Sequence, residues 1–413
     1  MEDIVQSLYE NTVVRRLADR FTDTPHSLYL VGGCVRDAVA GRTDFSDLDF
    51  TTDATPDEIE NIVKDLGPLW LAGKRFGTIG VFVGGEKLEV TTFREETYEP
   101  KSRKPNVAFT KELWEDLIRR DFTVNAMAIR VDGDSPELLD PFQGATDLKD
   151  KILRTPGDPA STFIEDPLRA VRAVRFAATR GFRLSVTVET AIRAHGHRLT
   201  IVAQERVMEE SRKIFSEGAD SVRRAFLLSK QLGINSFLFG DLGLTDLDHF
   251  DTLEILGFDG YTALALMVAE SIEGELGEVD AFLGDLTLPS GEKETIKKIV
   301  DCAIQLQGTN WIVAMRAMRR EVGVETFQLG ALIGNLAFGP FDEAKRGDIA
   351  YAILDERLDR PLPVNGEDVM EAIGCEPGPY VGASLKFCEG MFCIDPSITK
   401  EELLDSLTNK GAR

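Results

Sequence analysis

Histidine and cysteine are scarce in this chain of 413 residues, which has four of the former and five of the latter. The cysteines, at positions 34, 302, 375, 388 and 393, form no CxxC pair and are odd in number. This pattern favours a reducing compartment over a disulfide framework. The spacing of Cys388 and Cys393 is only a weak signal for a metal site.

Long apolar runs are missing as well. No run approaches the roughly 18 residues that a membrane helix needs, and the first residues lack the basic and apolar regions of a signal peptide. We therefore expect a cytoplasmic protein without a membrane partner. The length allows two to four domains.

Positive charge is also in deficit, because the net charge is −23. This value argues against a nucleic-acid partner at first sight. Its distribution is uneven: residues 151–230 contain 15 Lys and Arg against 9 Asp and Glu, whereas residues 231–413 contain 14 against 32. Because the middle of the chain is basic, the net charge does not exclude an RNA-binding function, although the acidic half would have to present its few basic residues locally.

The hydrophobic pattern predicts an α+β unit with a mixed β-sheet over residues 1–150. It includes a helix over residues 1–25, a capped helix that starts at Thr55-Pro56-Asp57-Glu58 and a hairpin at Gly84-Gly85. Strands are expected at 27–31, 48–51, 78–83, 88–92 and 126–131.

After residue 141 the periodicity becomes almost entirely helical. We expect a loop at 239–258, and helices at 163–181, 185–196, 203–216, 219–231, 261–276, 291–306, 309–323 and 341–359.

The first motif is a pair of aspartates, Asp47 and Asp49, which follows a strand and the glycines Gly32 and Gly33. Residues i and i+2 of a strand point the same way, so both carboxylates could hold Mg²⁺. The glycine N–H groups could approach a phosphate closely. A solvated loop is the alternative interpretation. Glu89 is the best candidate for a third acidic ligand; the alternative is an exposed strand glutamate.

The second motif is the segment RRDFTVNA at residues 119–126. Arg119 and Arg120 could grip triphosphate oxygens. Asp121 could accept a hydrogen bond from a ribose 2′-hydroxyl, and Asn125 could donate and accept. Alternatively, the segment is a basic turn before a strand.

The third motif is Glu165-Asp166-Pro167-Leu168-Arg169, which is followed by Arg172 and Arg175. Asp166 and Arg169 could together match the base-pairing edge of cytosine, and of adenine after a small shift. The spacing alone favours a surface salt bridge between residues i and i+3. Pro167 favours a helix start with Asp166 as its cap.

Together these segments resemble the class II tRNA nucleotidyltransferase/poly(A) polymerase family of the polymerase-β-like nucleotidyltransferases. The resemblance covers nearly the whole chain. It rests on the segments LVGGCVRDAVAGRTDFSDLDFTT, VTTFR, RRDFTVNAMAI, DPFQGATDLKDKILR, EDPLRAVRAVRFAATRGFRL, ERVMEESRKI and PLPVNGEDVMEAIGCEPGPYVG.

The resemblance implies a role for each matching residue. Asp47 and Asp49 would be the metal-binding carboxylates with Glu89 as the third acidic residue, and Gly32, Gly33 and Arg36 would hold the triphosphate. Ribose recognition would belong to Arg120, Asp121 and Asn125. Asp166 and Arg169, oriented by Glu165, would form the amino-acid template that selects CTP and then ATP. Asp140, Gly144 and Asp147 match a hinge, and Glu205 and Arg206 match a motif that braces the template helix.

The resemblance also implies a nucleotidyltransferase head at residues 1–150, a helical neck with the template at 151–235, a helical body at 236–360 and a helical tail that binds tRNA at 361–413. Arg172 and Arg175 are expected at the nucleotide or the RNA backbone, and Arg223 and Arg224 at the RNA backbone. The partners would be tRNA, CTP and ATP, and the cofactor Mg²⁺.

Family members add CCA, only CC, only A, or a poly(A) tail. The 24 residues from Glu95 to Ile118 resemble the full-length loop that CC-adding relatives have shortened. We therefore expect CCA addition, with A-only addition as the nearest alternative. No histidine precedes an aspartate, so the HD phosphohydrolase domain of some relatives is not expected. Rival hypotheses are a non-catalytic RNA-binding protein and a nucleotidyltransferase that acts on a small molecule.

Overall fold

The computed structural model describes residues 2–43, 45, 48–97, 106–243, 247–272 and 278–410. The chain divides into two compact units. One comprises the residues up to Ile214 with Arg224–Leu238, and the other comprises Phe215–Arg223 with the residues from Phe239 onward. The division into head, neck, body and tail stays a prediction.

A seven-stranded sheet dominates the first half of the first unit, in the order β3-β4-β5-β2-β1-β8-β9. Strands β2 and β5 run parallel, and the other neighbouring strands are antiparallel, so the predicted mixed sheet is confirmed. The strands are β1 Leu28–Val31, β2 Asp49–Thr52, β3 Leu69–Trp70, β4 Thr78–Val83, β5 Glu86–Thr92, β6 Arg94–Thr97, β7 Asn106–Phe109, β8 Ala128–Arg130, β9 Glu137–Leu139, β10 Ile152–Leu153 and β11 Arg183–Leu184.

Two small ladders accompany this sheet. Strands β6 and β7 form an antiparallel hairpin, and β10 pairs with β11 in parallel. The sequence pattern did not predict these four strands, nor β3 and β9. All six are only two to four residues long, too short for an alternating pattern to be seen.

The helices up to residue 232 pack around the sheet and continue along the chain after its last strand, β9. They are α1 Glu2–Tyr9, α2 Thr12–Thr22, α3 Gly33–Val39, α4 Pro56–Val63, α5 Leu113–Ile118, α6 Gly144–Asp150, α7 Pro159–Glu165, α8 Leu168–Arg180, α9 Val186–His195, α10 Gln204–Phe215 and α11 Ala219–Leu232, with 3₁₀ turns at Lys74–Phe76, Thr123–Asn125 and Gly196–Ile201.

Two of the expected helices are each split in two. The predicted N-terminal helix breaks at Asn11, whose side chain accepts hydrogen bonds from the backbone N–H groups of Val13 and Val14 and so caps α2. The capped helix predicted at Thr55 is α4, and Thr55 and Glu58 form a capping box at its start.

The predicted helix 163–181 breaks at Asp166-Pro167. A residue before proline is disfavoured in the helical region, and Asp166 is extended with φ −127° and ψ 93°. The preceding helix α7 begins earlier than predicted, behind the cap Asp158 and Pro159. The following helix α8 ends at Arg180, and the next residue, Gly181, has a positive φ of 70°.

The chain then continues as helices. They are α12 Ser236–Phe239, α13 Leu247–Ile255, α14 Gly260–Ser271, α15 Val279–Asp285, α16 Ser290–Gly308, α17 Ile312–Val322, α18 Val324–Ala337, α19 Glu343–Leu354, α20 Gly366–Ile373, α21 Pro379–Ile394 and α22 Lys400–Lys410, with a 3₁₀ turn at Glu356–Asp359. Helix α13 lies in the segment predicted as a loop, where the acidic, glycine-containing sequence obscures its few buried residues, Phe250 and Leu253.

The core of the second unit depends on close packing between α16 and α18. A Cβ atom at Gly330 would lie 2.6 Å from the Cys302 Sγ atom, so only glycine allows this approach. Met315, Phe327 and Leu306 fill the same apolar cluster.

In the part of the chain that the structure describes, none of the helices combines the length and the hydrophobicity that a membrane span requires.

Candidate active site

The loop after β1 brings glycine backbone next to a carboxylate and an arginine. Gly32 has a φ of +78°, which favours glycine, and α3 begins at Gly33. A Cβ atom on Gly32 would lie 3.6 Å from Arg120 Nη1 and 3.7 Å from Asp49 Oδ2. The predicted phosphate loop, the ribose motif and one of the two aspartates therefore converge.

Asp49 and Glu89 are neighbours in the sheet. They are register partners on the parallel strands β2 and β5, so their side chains lie on the same face. Glu89 accepts a hydrogen bond from Lys87 Nζ at 2.7 Å. Adjacent carboxylate oxygens are the donor set that hard divalent cations prefer, so these residues fit a metal. Asp47 lies outside the described residues.

A buried aspartate that the sequence analysis missed orients the two adjacent arginines. Asp116 on α5 is fully buried and pairs with Arg119 at 2.6 Å and with Arg120 at 3.0 Å. Burial by itself would raise the pKa of the Asp116 carboxyl, but the charges of Arg120 and Arg119 outweigh it and the pKa is lowered. Its spacing of three and four residues on a helix was the available signal.

The predicted ribose motif is tied together by hydrogen bonds. Asp121 Oδ1 accepts from the Phe122 N–H at 2.8 Å and from Asn125 Nδ2 at 3.0 Å. Asn125 Oδ1 accepts from Arg36 Nη1 at 2.8 Å. The Asn125 amide thus links the phosphate loop to Asp121.

The other oxygen of Asp121 faces α8. Asp121 Oδ2 accepts from Arg172 Nε at 2.9 Å and from Arg172 Nη2 at 2.6 Å. Burial by itself would raise the pKa of the Asp121 carboxyl. The charge of Arg172 and the hydrogen bonds from Asn125 and Arg172 outweigh burial, so this pKa falls to about 2.

Glu210 on α10 completes the chain of charges. This buried carboxylate pairs with Arg172 at 3.3 Å and with Arg175 at 2.5 Å. The Phe176 ring packs against the guanidinium groups of Arg175 and Arg36, with ring-centre distances of 4.5 and 5.4 Å. Arg172 and Arg175, predicted at the nucleotide or the RNA backbone, are therefore also held by protein carboxylates.

The predicted template residues have other partners than each other. Asp166 Oδ2 accepts from Arg206 Nη2 at 3.0 Å, and its Oδ1 accepts from the Leu168 N–H at 3.2 Å. Arg169 is 7% exposed and donates to the backbone carbonyls of Arg119 and Thr162. The carboxylate therefore caps the start of α8, as the sequence suggested, while Arg206 holds it from α10.

The residues that match the predicted hinge connect α6 to the ribose motif. Asp140 accepts from the Gly144 and Ala145 N–H groups at the start of α6. Asp147 accepts from Thr123 Oγ1 at 2.7 Å, and a Cβ atom on Gly144 would lie 2.2 Å from the Thr123 carbonyl oxygen. Glycine is required by this close approach.

The predicted phosphate loop, ribose motif and template residues line one cavity of about 920 Å³ in the first unit. Ten cationic and six acidic side chains line it, an excess of positive charge that suits a polyanion such as a triphosphate. Its lining comprises Gly32, Gly33, Cys34, Arg36, Asp37, Phe45, Asp49, Arg94, Arg119, Arg120, Asp121, Asn125, Asp166, Leu168, Arg169, Arg172, Arg175, Phe176, Arg180, Arg206, Glu209, Glu210 and Lys213.

Some predicted residues lie elsewhere. Glu89 is not among the lining residues, although it adjoins Asp49 in the sheet. Arg223 pairs with Asp220 at 2.6 Å, and Arg224 is exposed. The sequence analysis did not single out Arg180, Lys213 or Glu209, which face the cavity from the helical segment.

Comparison with known proteins gives consistent matches. The Poly A polymerase head domain matches residues 28–154, and the family described as a probable RNA and SrmB- binding site of polymerase A matches residues 181–242. A CCA-adding enzyme of Staphylococcus saprophyticus is 30% identical over 87% of this chain and 88% of its own. One of Bacillus subtilis is 33% identical over 88% and 89%.

Solved structures agree with this result. The CCA-adding enzyme of Bacillus stearothermophilus, crystallised with CTP, is 26% identical and superimposes with a TM-score of 0.74 over 100% of this chain and 98% of its own. The Thermotoga maritima CCA-adding enzyme, complexed with tRNA, shares the fold with a TM-score of 0.68 at 22% identity, over 99% and 98%.

The low pKa of Asp121 predicts a pH-dependent contribution to stability. Because the pKa is near 3.8 in the unfolded chain and about 2 in the folded one, the ionised group stabilises the fold above pH 4 by about 2 kcal/mol. This contribution is lost as the pH falls toward 2. We expect Asp121→Asn to lower the free energy of unfolding at pH 7, and the difference from the unsubstituted protein to shrink between pH 4 and pH 2.

Urea unfolding at several pH values measures this effect. Asp65→Asn is the control, because Asp65 is an exposed partner of Arg20 and its replacement changes stability by less than about 0.5 kcal/mol. A difference for Asp121→Asn that stays constant down to pH 2 would contradict the ionised, paired state.

Proposed function

The chain belongs to the family of CCA-adding enzymes, and from this premise we propose that it adds C, C and A to the 3′ end of tRNA. It would use CTP and ATP without a nucleic-acid template and release pyrophosphate. The observation that carries the proposal is the cavity in which the glycine loop, the ribose motif and the template pair meet. We also propose a cytoplasmic location, where tRNA is processed.

The cavity would bind the nucleotide through its phosphates and sugar. Backbone N–H groups at Gly32 and Gly33 would approach the triphosphate, beside the guanidinium of Arg120. The Asp121 carboxylate already accepts four hydrogen bonds, so ribose would reach it by replacing a protein donor, or would bind to the adjacent Asn125.

A divalent cation, which we propose to be Mg²⁺, would be held by Asp47 and Asp49 with Glu89 beside them. When bound, it lowers the pKa of an attacking hydroxyl and neutralises triphosphate charge. Asp49 and Glu89 supply the negative potential that places it, and the cationic side chains hold the triphosphate. Positioning and electrostatics would give most of the rate enhancement.

Asp166 and Arg169 would read the base. Each has a fixed position: Asp166 is held by Arg206, and Arg169 by two backbone carbonyls. A carboxylate acceptor next to a guanidinium donor complements the amino group and ring acceptors of cytosine, and a small displacement would suit adenine. Both bases could therefore be selected by protein side chains alone.

Addition of A only is the nearest alternative. CC-only addition and poly(A) synthesis are less favoured alternatives. The segment from Glu95 to Ile118 favours full CCA addition by its length. Its described residues include the antiparallel strands β6 and β7 and helix α5, and residues 98–105 lie outside the described residues. A non-catalytic RNA-binding role is disfavoured, because a protein that only binds RNA would not need carboxylates beside a cavity that suits a triphosphate.

Addition of labelled nucleotides to tRNAs that lack CCA, CA or A tests the activity. We expect Mg²⁺-dependent incorporation of C from CTP and A from ATP, with the product ending at CCA. Asp49→Asn should lower kcat about 100-fold or more, whereas the exposed Asp65→Asn should retain full activity. Incorporation of A alone would contradict CCA addition and support A-only addition. Long A tracts on unrelated RNA would support poly(A) synthesis instead.

The template hypothesis predicts a change in nucleotide choice. Arg169→Ala removes a donor that would face the base, so the ratio of kcat/KM for CTP over UTP should fall by about tenfold or more. Arg193→Ala, which removes an exposed arginine on α9, is the control. Unchanged discrimination by Arg169→Ala would disprove the template role.

A further inference from the structure

A single row of register partners crosses the sheet from the carboxylates to its edge. Asp49 on β2 is paired with Glu89 on β5, Glu89 with Gly80 on β4, and Gly80 with Trp70 on the edge strand β3. Register partners project their side chains from the same face. Trp70 therefore lies on the face that carries Glu89 and Asp49.

The row of register partners leaves the Trp70 side chain accessible to a ligand. Gly80 has no side chain, and a Cβ atom there would lie 3.3 Å from Trp70 Cβ and 3.7 Å from Lys87 Cε. Trp70 is 50% exposed, and Phe82 on the same face of β4 is 40% exposed. Exposed aromatic rings beside a functional carboxylate suit the stacking of nucleobases.

The ammonium group of Lys87 connects the Trp70 ring to the carboxylates. Lys87 Nζ lies 3.6 Å from the centre of the Trp70 ring and 2.7 Å from Glu89 Oε1. An exposed lysine at this place can exchange these partners for a phosphate. The combination of aromatic ring and lysine is the one that binds single-stranded nucleic acid without base selection.

The row lies on the opposite side of Asp49 from the residues that would hold the triphosphate. Gly32 and Gly33 follow β1, and Asn125 precedes β8, whereas Glu89 and Trp70 lie toward the β3 edge. In-line displacement brings the attacking hydroxyl from the side opposite the leaving group. The approaching RNA end would thus lie over β5, β4 and β3.

We propose that Trp70 and Lys87 form a subsite for the single-stranded 3′ end of the RNA substrate. Trp70 stacks on one of the last unpaired bases, and Lys87 contacts the adjoining phosphate. Strands lie about 4.8 Å apart, so Trp70 is about 10 Å from Glu89 and about 14 Å from Asp49, a span of a few nucleotides. The inference rests on the proposed nucleotidyl transfer to RNA.

Steady-state kinetics with tRNA ending in CC and with ATP test the subsite. We expect Trp70→Ala to raise the KM for tRNA by roughly 5- to 50-fold, the effect of losing one stacked base, with the KM for ATP within about twofold of its original value. Trp70→Phe should restore most of the loss. Asp65→Asn is the control, because Asp65 is exposed in the same unit and belongs to none of the proposed binding segments.

Lys87→Gln provides a second variant, should Trp70→Ala reduce folding as judged by circular dichroism and melting temperature. It should raise the KM for tRNA severalfold and lower the salt dependence of tRNA binding. An unchanged KM for tRNA in the folded Trp70 and Lys87 variants would overturn the subsite, and so would a rise in the KM for ATP instead. If the unsubstituted protein adds no nucleotide, the proposed function fails rather than the subsite.

Discussion

The placement of Arg172 between two buried carboxylates is the interaction on which the candidate site depends. Its guanidinium bonds to Asp121 in the ribose motif and to Glu210 on α10. Removal of one partner from this arrangement leaves a largely buried charge uncompensated, which lowers the free energy of unfolding. Arg172 thus fixes α8, and with it the predicted template residue Arg169, against the segment that would bind ribose.

The same arrangement explains how an acidic protein forms a site for polyanions. The net charge of −23 is an average over the whole chain, whereas the cavity has more cationic than acidic side chains. The buried Asp116 and Glu210 offset only part of the positive charge of this site. They hold arginine side chains in fixed orientations, which reduces the entropy lost when a triphosphate binds. The electrostatic potential of the cavity is therefore determined by the side chains that pack around it, and not by the average composition of the chain.

The sequence predicted the strands with long alternating patterns and the helices with strong caps, because those signals are local. It also identified most cavity residues, through motifs whose spacing in the chain is short. It missed Glu210, since the role of this residue arises only when the distant Arg172 and Arg175 meet it in the fold. It also missed Asp116, although the spacing of three and four residues to Arg119 and Arg120 was a local signal. The breaks at Asn11 and Pro167 had local signals as well, but the surrounding helical periodicity was given more weight.

The most direct test of the account is a double-mutant cycle between Asp121→Asn and Glu210→Gln, read out by the dissociation constant of CTP. Both carboxylates hold Arg172, so the account predicts that the two effects are coupled by about 1 kcal/mol or more. Strictly additive effects, or CTP affinity unchanged in both single variants, would contradict the claim that one connected network of charges organises the nucleotide site.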